Sequence, residues 1–337
     1  MRYAEILEII LMVALGGYCG WTDLKTGIVH NRAVLAGLLF GLVPHGMNML
    51  LGGLPFYPAW LVCMLIADLA AIGMYMGEIW AAGDAKLFIL LYYLFPPRLI
   101  EGANYAFSII PFIYIFVPAL IWLMADSTIH LIKREPRKVT KITARDFATR
   151  YITILIETTA FLSLMLVLFP QVGISQPILP MMLVLAYSII CTRIRIMRTK
   201  LILGGHLLVL LVLWILKLWE PAFPSWENIL LLLLVILTQR YCGLYDYTRI
   251  PTSNVKEGMI LSAENVIRFK KSRVHGLPQN FSEQLSSRIT SVEAEAVRRW
   301  EKSVNGEPFI WIVRKVPFAM MISLGFVLWL LSRIYGR

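Results

Sequence analysis

Asp23 and Asp84 are the residues of this chain whose type and placement point to chemistry. Asp23 sits in Thr22-Asp23-Leu24-Lys25-Thr26-Gly27-Ile28-Val29-His30-Asn31, and Asp84 in Ala81-Ala82-Gly83-Asp84-Ala85-Lys86. Each closes or opens an apolar segment with the character of a membrane span. A carboxylate loses hydration at a bilayer boundary, so an acidic residue kept there marks a functional site by default. Two of them on one side of a membrane have the makings of an acid and base pair.

The elements that must position this pair are apolar helices. The chain has 337 residues, of which 58% are hydrophobic and 16% charged, with a mean hydropathy of +0.69. A soluble domain carries roughly a quarter charged residues. Most of the length falls into runs near the ~20 residues that cross a bilayer. Spans are predicted near 5–22, 33–52, 58–78, 84–96, 105–126, 151–170, 177–192, 201–218, 228–245 and 316–332. The expected fold is all-α: a polytopic membrane protein of about ten transmembrane helices, with a small α+β cytosolic insert before the last one. Residues 1–132 form a core that carries both aspartates, 133–245 supply additional helices, 246–315 the insert and 316–337 the final helix.

The net charge of +11 is a matter of topology rather than of nucleic-acid binding. The first, third, fifth, seventh and ninth loops, with the span ends they join, carry 27 of the 32 Lys and Arg residues. Basic residues favour the cytoplasmic side of short loops, which puts both termini outside and both aspartates at the cytoplasmic face of a cell membrane. The N-terminal run contains Glu5 and Glu8 and no small-residue cleavage site, so it reads as a retained helix. Cys19, Cys63, Cys191 and Cys242 are scattered, with no Cys-x-x-Cys, and neither a zinc knuckle nor a disulfide framework follows.

The residues around the two aspartates resemble the signatures of type IV prepilin peptidases and archaeal preflagellin peptidases. Asp23-Leu24-Lys25-Thr26 with Val29-His30-Asn31 is similar to the first signature, an Asp followed by a polar turn and an Ile-Pro-Asn-like tripeptide. Ala81-Ala82-Gly83-Asp84-Ala85-Lys86-Leu87 is similar to the second, Gly-x-Gly-Asp with a trailing Lys. Val255 to Leu261, Gly276-Leu277-Pro278 and Lys315-Val316-Pro317-Phe318 resemble segments of the archaeal branch. His30 stands where that family often has Pro, and Ala81 where it has Gly. Residues 133–245 have no counterpart.

The resemblance implies an intramembrane aspartyl endopeptidase with Asp23 and Asp84 as catalytic pair and Lys25, Asn31, Gly83 and Lys86 as supporting residues. It implies no metal and no cofactor, and a pilin-like precursor as substrate, cut between a hydrophilic leader and an apolar helix. Without the Cys-x-x-Cys domain of bacterial members, proteolysis without N-methylation is expected. Membrane lipid is the other expected partner, and nucleic acid is not one. Helix polarity favours Asp84, at a helix start, as the ionised base and Asp23, at a helix end, as the protonated acid.

Two rivals come from other classes. One is a secondary transporter that uses Asp68 and the boundary aspartates, and the other a catalytically inactive relative acting in filament assembly. Asp68, mid-span, reads first as a protonated structural residue, His206 as a packed one, and Cys19 as a small core residue one turn before Asp23. In the insert, residues 282–303 pattern as an amphipathic helix ending before Gly306, and Val255–Phe269 as a small sheet. Lys270-Lys271-Ser272-Arg273 and the run from Lys133 to Arg145 read as solvated basic faces and topology determinants.

Overall fold

The structure is a computed structural model. It describes residues 3–77, 79–100, 108, 110–133, 144–171, 187, 199–218, 246–272, 274–280, 283, 287–314 and 316–335. The chain divides into two compact units, residues 1–138 with 244–337, and residues 139–243. The spans predicted at 177–192 and 228–245, together with Glu78, Arg273 and Lys315, lie outside the described residues, with Tyr187 the exception.

The first unit is a helical bundle. Its helices are α1 (Tyr3–Thr26), α2 (Asn31–Asn48), α3 (Tyr57–Met76), α4 (Ala82–Tyr93) and α5 (Ile110–Ile132), and it closes with the last helix of the chain, Phe318–Tyr335. Between α2 and α3 the backbone leaves helical geometry at Leu51 and at Gly52, whose φ is +84°. A glycine adopts that conformation without steric cost. Pro55 and Pro58 then stand at the openings of the short helical turn and of α3, where the missing N–H is not needed. By length and apolarity, five stretches of the described residues could cross a membrane: 3–26, 31–76, 110–132, 151–171 and 318–335. The second of these contains the break and comprises two helices. The predicted count of about ten is not reproduced: α4, at 12 residues, is too short for such a span, and two predicted spans lie outside the described residues.

The last helix packs against α1, α4 and α5. Ser323 on it donates to the Gly16 carbonyl of α1 at 2.7 Å, and small residues at that seam let the backbones approach closely. The core beneath is aromatic. Phe88 lies 4.7 Å from Phe112 by ring centroids, and Phe95 stacks on Trp329 at 3.8 Å. These rings pack the helices by close fit.

The insert belongs to the same unit. Strand β1 (Tyr247–Pro251) pairs antiparallel with β2 (Phe309–Val313), Tyr247 opposite Val313 and Pro251 opposite Phe309. Two short helices, Ala263–Phe269 and Ser291–Glu301, enclose with the sheet a core of Val255, Leu261, Val266, Phe269, Ile289, Ala294, Val297, Trp300 and Ile310. Two sequence expectations need correction. The sheet is not within Val255–Phe269: Ser262 accepts a hydrogen bond from the Glu264 N–H and starts a helix there, leaving only isolated bridges at Ile260 and Leu261. The amphipathic helix starts at Ser291 rather than 282, because Thr290 and Glu293 form a capping box that fixes its first turn. Burial and the neighbouring Glu283 carboxylate, which accepts from the Tyr247 hydroxyl, hold that phenol above its ordinary range.

The second unit contains two described helices, Ala144–Gln171 and Lys200–Ile215, which pack on one another. His206 donates from Nδ1 to the Ile202 carbonyl at 2.8 Å and accepts at Nε2 from the Tyr187 hydroxyl at 2.6 Å. Tyr187 in turn stacks on Phe161. His206 is a packed residue, as its sequence context indicates.

Candidate functional site

Asp23 lies in the last turn of α1 rather than beyond it. The helix runs on to Thr26 and is ended by Gly27, whose φ is +73° and whose N–H donates to the Asp23 carbonyl at 2.8 Å. This is the left-handed glycine cap in which the residue after the helix binds the carbonyl four positions back. The chain then passes through Ile28 and Val29 to His30, which precedes α2.

Asp84 occupies the third position of α4. Its Oδ2 accepts the Ala81 N–H at 3.1 Å, the acidic half of a capping box. Alanine has no side-chain oxygen for the other half. Ala81 has φ −72° and ψ 157°, an extended conformation open to any residue. The Gly-to-Ala departure therefore costs nothing in backbone geometry.

Gly83 is different, because its Cα faces Val29. A Cβ built there would lie 3.1 Å from the Val29 Cβ. The turn that follows Asp23 is thus packed against the turn that precedes Asp84. A second contact holds the same two segments: Lys86 Nζ donates to Asn31 Oδ1 at 3.0 Å. Of the residues singled out in the sequence, Gly83 meets Val29 and Lys86 meets Asn31 in this way, and Asp84 lies between Gly83 and Lys86 on α4. Lys25 does not join them; its ammonium lies 4.4 Å from the centre of the Trp21 ring, a cation–π contact on the outside of α1.

Both carboxylates are buried, Asp23 at 7% exposure and Asp84 at 9%. Asp23 has a partner that its local sequence does not reveal. The Ala319 N–H, in the first turn of the last helix, donates to its Oδ2 at 3.4 Å. Asp23 therefore stands at the negative end of its own helix and at the positive end of another. That second helix end opposes the first, and the assignment of the protonated role to Asp23 from α1 alone no longer follows.

Trp80 completes the arrangement. It is 1% exposed, immediately precedes the α4 cap, and lies 6.0 Å from Phe318 and 5.6 Å from Phe112 by ring centroids. A path of direct contacts and chain neighbours leads from Asp84 to the Ala81 N–H, from Trp80 to Phe318, and from the Ala319 N–H to Asp23. Nothing in the local signatures marks Trp80. The Val316-Pro317-Phe318 start of the last helix was the available signal for the third wall.

Asp68 is one of the half-buried residues of α3, with Oδ1 shielded from solvent and without a hydrogen-bond partner among the described residues. Cys19 is fully buried within α1. Among the described residues no three His, Cys, Asp or Glu side chains are grouped to hold a metal ion. No family model, no curated protein and no solved structure matches the chain.

Proposed function

We propose that this chain is an intramembrane aspartyl endopeptidase that removes the short leader of pilin-like or archaeal flagellin-like precursors. The site works at the cytoplasmic face of the cell membrane, with both chain termini outside and no N-methylation. The observation that carries this reading is the packing of Val29 against Gly83, with the Lys86–Asn31 hydrogen bond beside it. Two signature-like segments more than fifty residues apart are joined there, each carrying a buried aspartate.

In the proposed reaction one carboxylate takes a proton from a water molecule as its oxygen attacks the scissile carbonyl carbon. The other carboxyl group gives its proton to the amide nitrogen as the C–N bond breaks. The leader leaves with a new carboxyl terminus and the mature subunit with a free amine. Two neighbouring carboxyls suit this task because they do not both ionise cheaply at close range. Burial keeps bulk water from competing for those protons.

Co-expression with a pilin-like precursor tests the proposal. Wild type is expected to convert the precursor to a leaderless form on a gel, and Asp23→Asn and Asp84→Asn each to slow conversion by about 10²-fold or more. Unimpaired conversion by either variant sinks the two-carboxyl mechanism.

A further inference from the structure

A second group of buried ionisable residues lies at the far end of α1 from Asp23 and at the last turn of α2. Glu8 of α1 is fully buried and His45 of α2 is 5% exposed. Glu8 Oε1 is 3.2 Å from His45 Nδ1. Fifteen residues separate Glu8 from Asp23, about 22 Å along one helix. The group is therefore distinct from the site described above.

The hydrogen bonds around His45 fix how many protons the group must hold. His45 Nε2 lies 2.9 Å from the Tyr93 carbonyl, which only accepts, so Nε2 carries a hydrogen. The Tyr57 hydroxyl donates its one hydrogen to the His45 carbonyl at 3.1 Å. His45 Nδ1 also lies 3.0 Å from that same hydroxyl oxygen. This contact is met either by an Nδ1–H or by the hydroxyl hydrogen turned from that carbonyl to Nδ1, so the hydrogen between His45 and Glu8 belongs to the ring or to the carboxyl.

Glu8 leads to the same result from the other side. Neither of its oxygens takes a hydrogen bond among the described residues. A buried carboxylate without donors is costly unless a counter-charge faces it or it holds a proton of its own. Glu5 on the same face of α1 is turned to Arg98 at 3.6 Å. Asn48 on α2, Tyr57 on α3 and Tyr93 on α4 are neutral. Arg98 faces Glu5, and the ion-pair partner of Glu8 among the described residues is His45.

We propose that Glu8 and His45 bind one proton between them. They form a buried proton-binding site at the end of the bundle opposite the aspartates. The site ties α1, α2, α3 and α4 together where they are furthest from the candidate active site. It rests on no assumption about what Asp23 and Asp84 do.

Nitrogen NMR of the full-length protein with 15N-labelled histidine, near neutral pH, tests this. His45 is assigned by its contacts with the rings of Tyr57 and Tyr93. Both His45 nitrogens are expected in the protonated range, with Nδ1 moving to the unprotonated range in Glu8→Gln. A neutral Nε2–H imidazole together with a protonated Glu8 carboxyl, read from its 13Cδ shift, also places one proton in the pair and supports the site. A neutral imidazole facing an ionised Glu8 overturns it. The wild-type nitrogen and carbon shifts decide the matter even where Glu8→Gln does not accumulate.

Discussion

The Ala319 backbone N–H donates to Asp23 Oδ2 across 296 positions of sequence. The last helix of the chain thus begins at a carboxylate in the final turn of the first. Residues on either side of that bond set the geometry of the candidate site, and their substitution has consequences that differ in kind.

Trp80 joins the start of α4 to the start of the last helix through Phe318 and Phe112. Trp80→Ala removes a fully buried ring, and such truncations cost about 3–5 kcal/mol. Thermal unfolding in detergent micelles should show the loss. Precursor processing should fall even at temperatures where the variant stays folded, because the walls around the two carboxylates are no longer held together.

Gly83 tests the contact between the two segments. Gly83→Ala places a methyl 3.1 Å from the Val29 Cβ, which a shift of a few tenths of an ångström relieves. Gly83→Val adds two further carbons to the same gap, and overpacking of this kind costs about 1–3 kcal/mol. The expected order of processing rates is wild type, then Gly83→Ala, then Gly83→Val at least tenfold slower. Val29→Gly in the Gly83→Ala background should recover the rate. Equal rates for all of these would mean that the two turns do not control the site.

The departures from the resembling signatures are open to direct reversal. His30 has φ −73°, inside the range that proline imposes. His30→Pro should therefore be accepted and raise stability by about 0.4–1 kcal/mol through the unfolded chain. Ala81→Gly should change it by no more than a few tenths of a kcal/mol, since Ala81 is the α4 N-cap, a position that accepts glycine. Neither change should abolish processing. Loss of folding in His30→Pro, followed by circular dichroism, would show that the His30 N–H or ring has a task the geometry does not reveal.

Trp300 is the largest fully buried side chain of the insert and meets Phe269 edge to face at 4.8 Å. Trp300→Ala should cost about 3–5 kcal/mol and open this subdomain to limited proteolysis near its strands. The apolar helices, buried in detergent, should remain resistant. Uniform protection across the whole chain would contradict a separate core here.

Much of the helical frame could be read from hydropathy, because apolar runs of bilayer length leave few alternatives. The predicted boundaries of α1, α2 and α3 lie within four residues of the observed ones. Local chemistry explains the misses. Asp23 falls inside α1 because Gly27 caps the helix one turn later than the polar residues suggest. The β-branched and aromatic run Phe309-Ile310-Trp311-Ile312-Val313 was not read as a strand, since it sits close to an apolar helix and its partner lies some sixty residues earlier. The Ala319 bond and the Trp80 contacts are tertiary, and no local pattern encodes them. Buried Glu8 was legible only as an acidic residue in an apolar run; its pairing with His45 needs three dimensions.

Only residues 314–317 separate the end of β2 at Val313 from the helix that opens at Phe318. Within that short connection, Arg314 reaches Asp126 on α5 at 2.9 Å. The sheet is thereby tethered on a leash of four amino acids to the helix whose Ala319 amide holds Asp23. A ligand gripping the insert would pull directly on a catalytic candidate within the apolar bundle, and the two parts would respond as one mechanical piece.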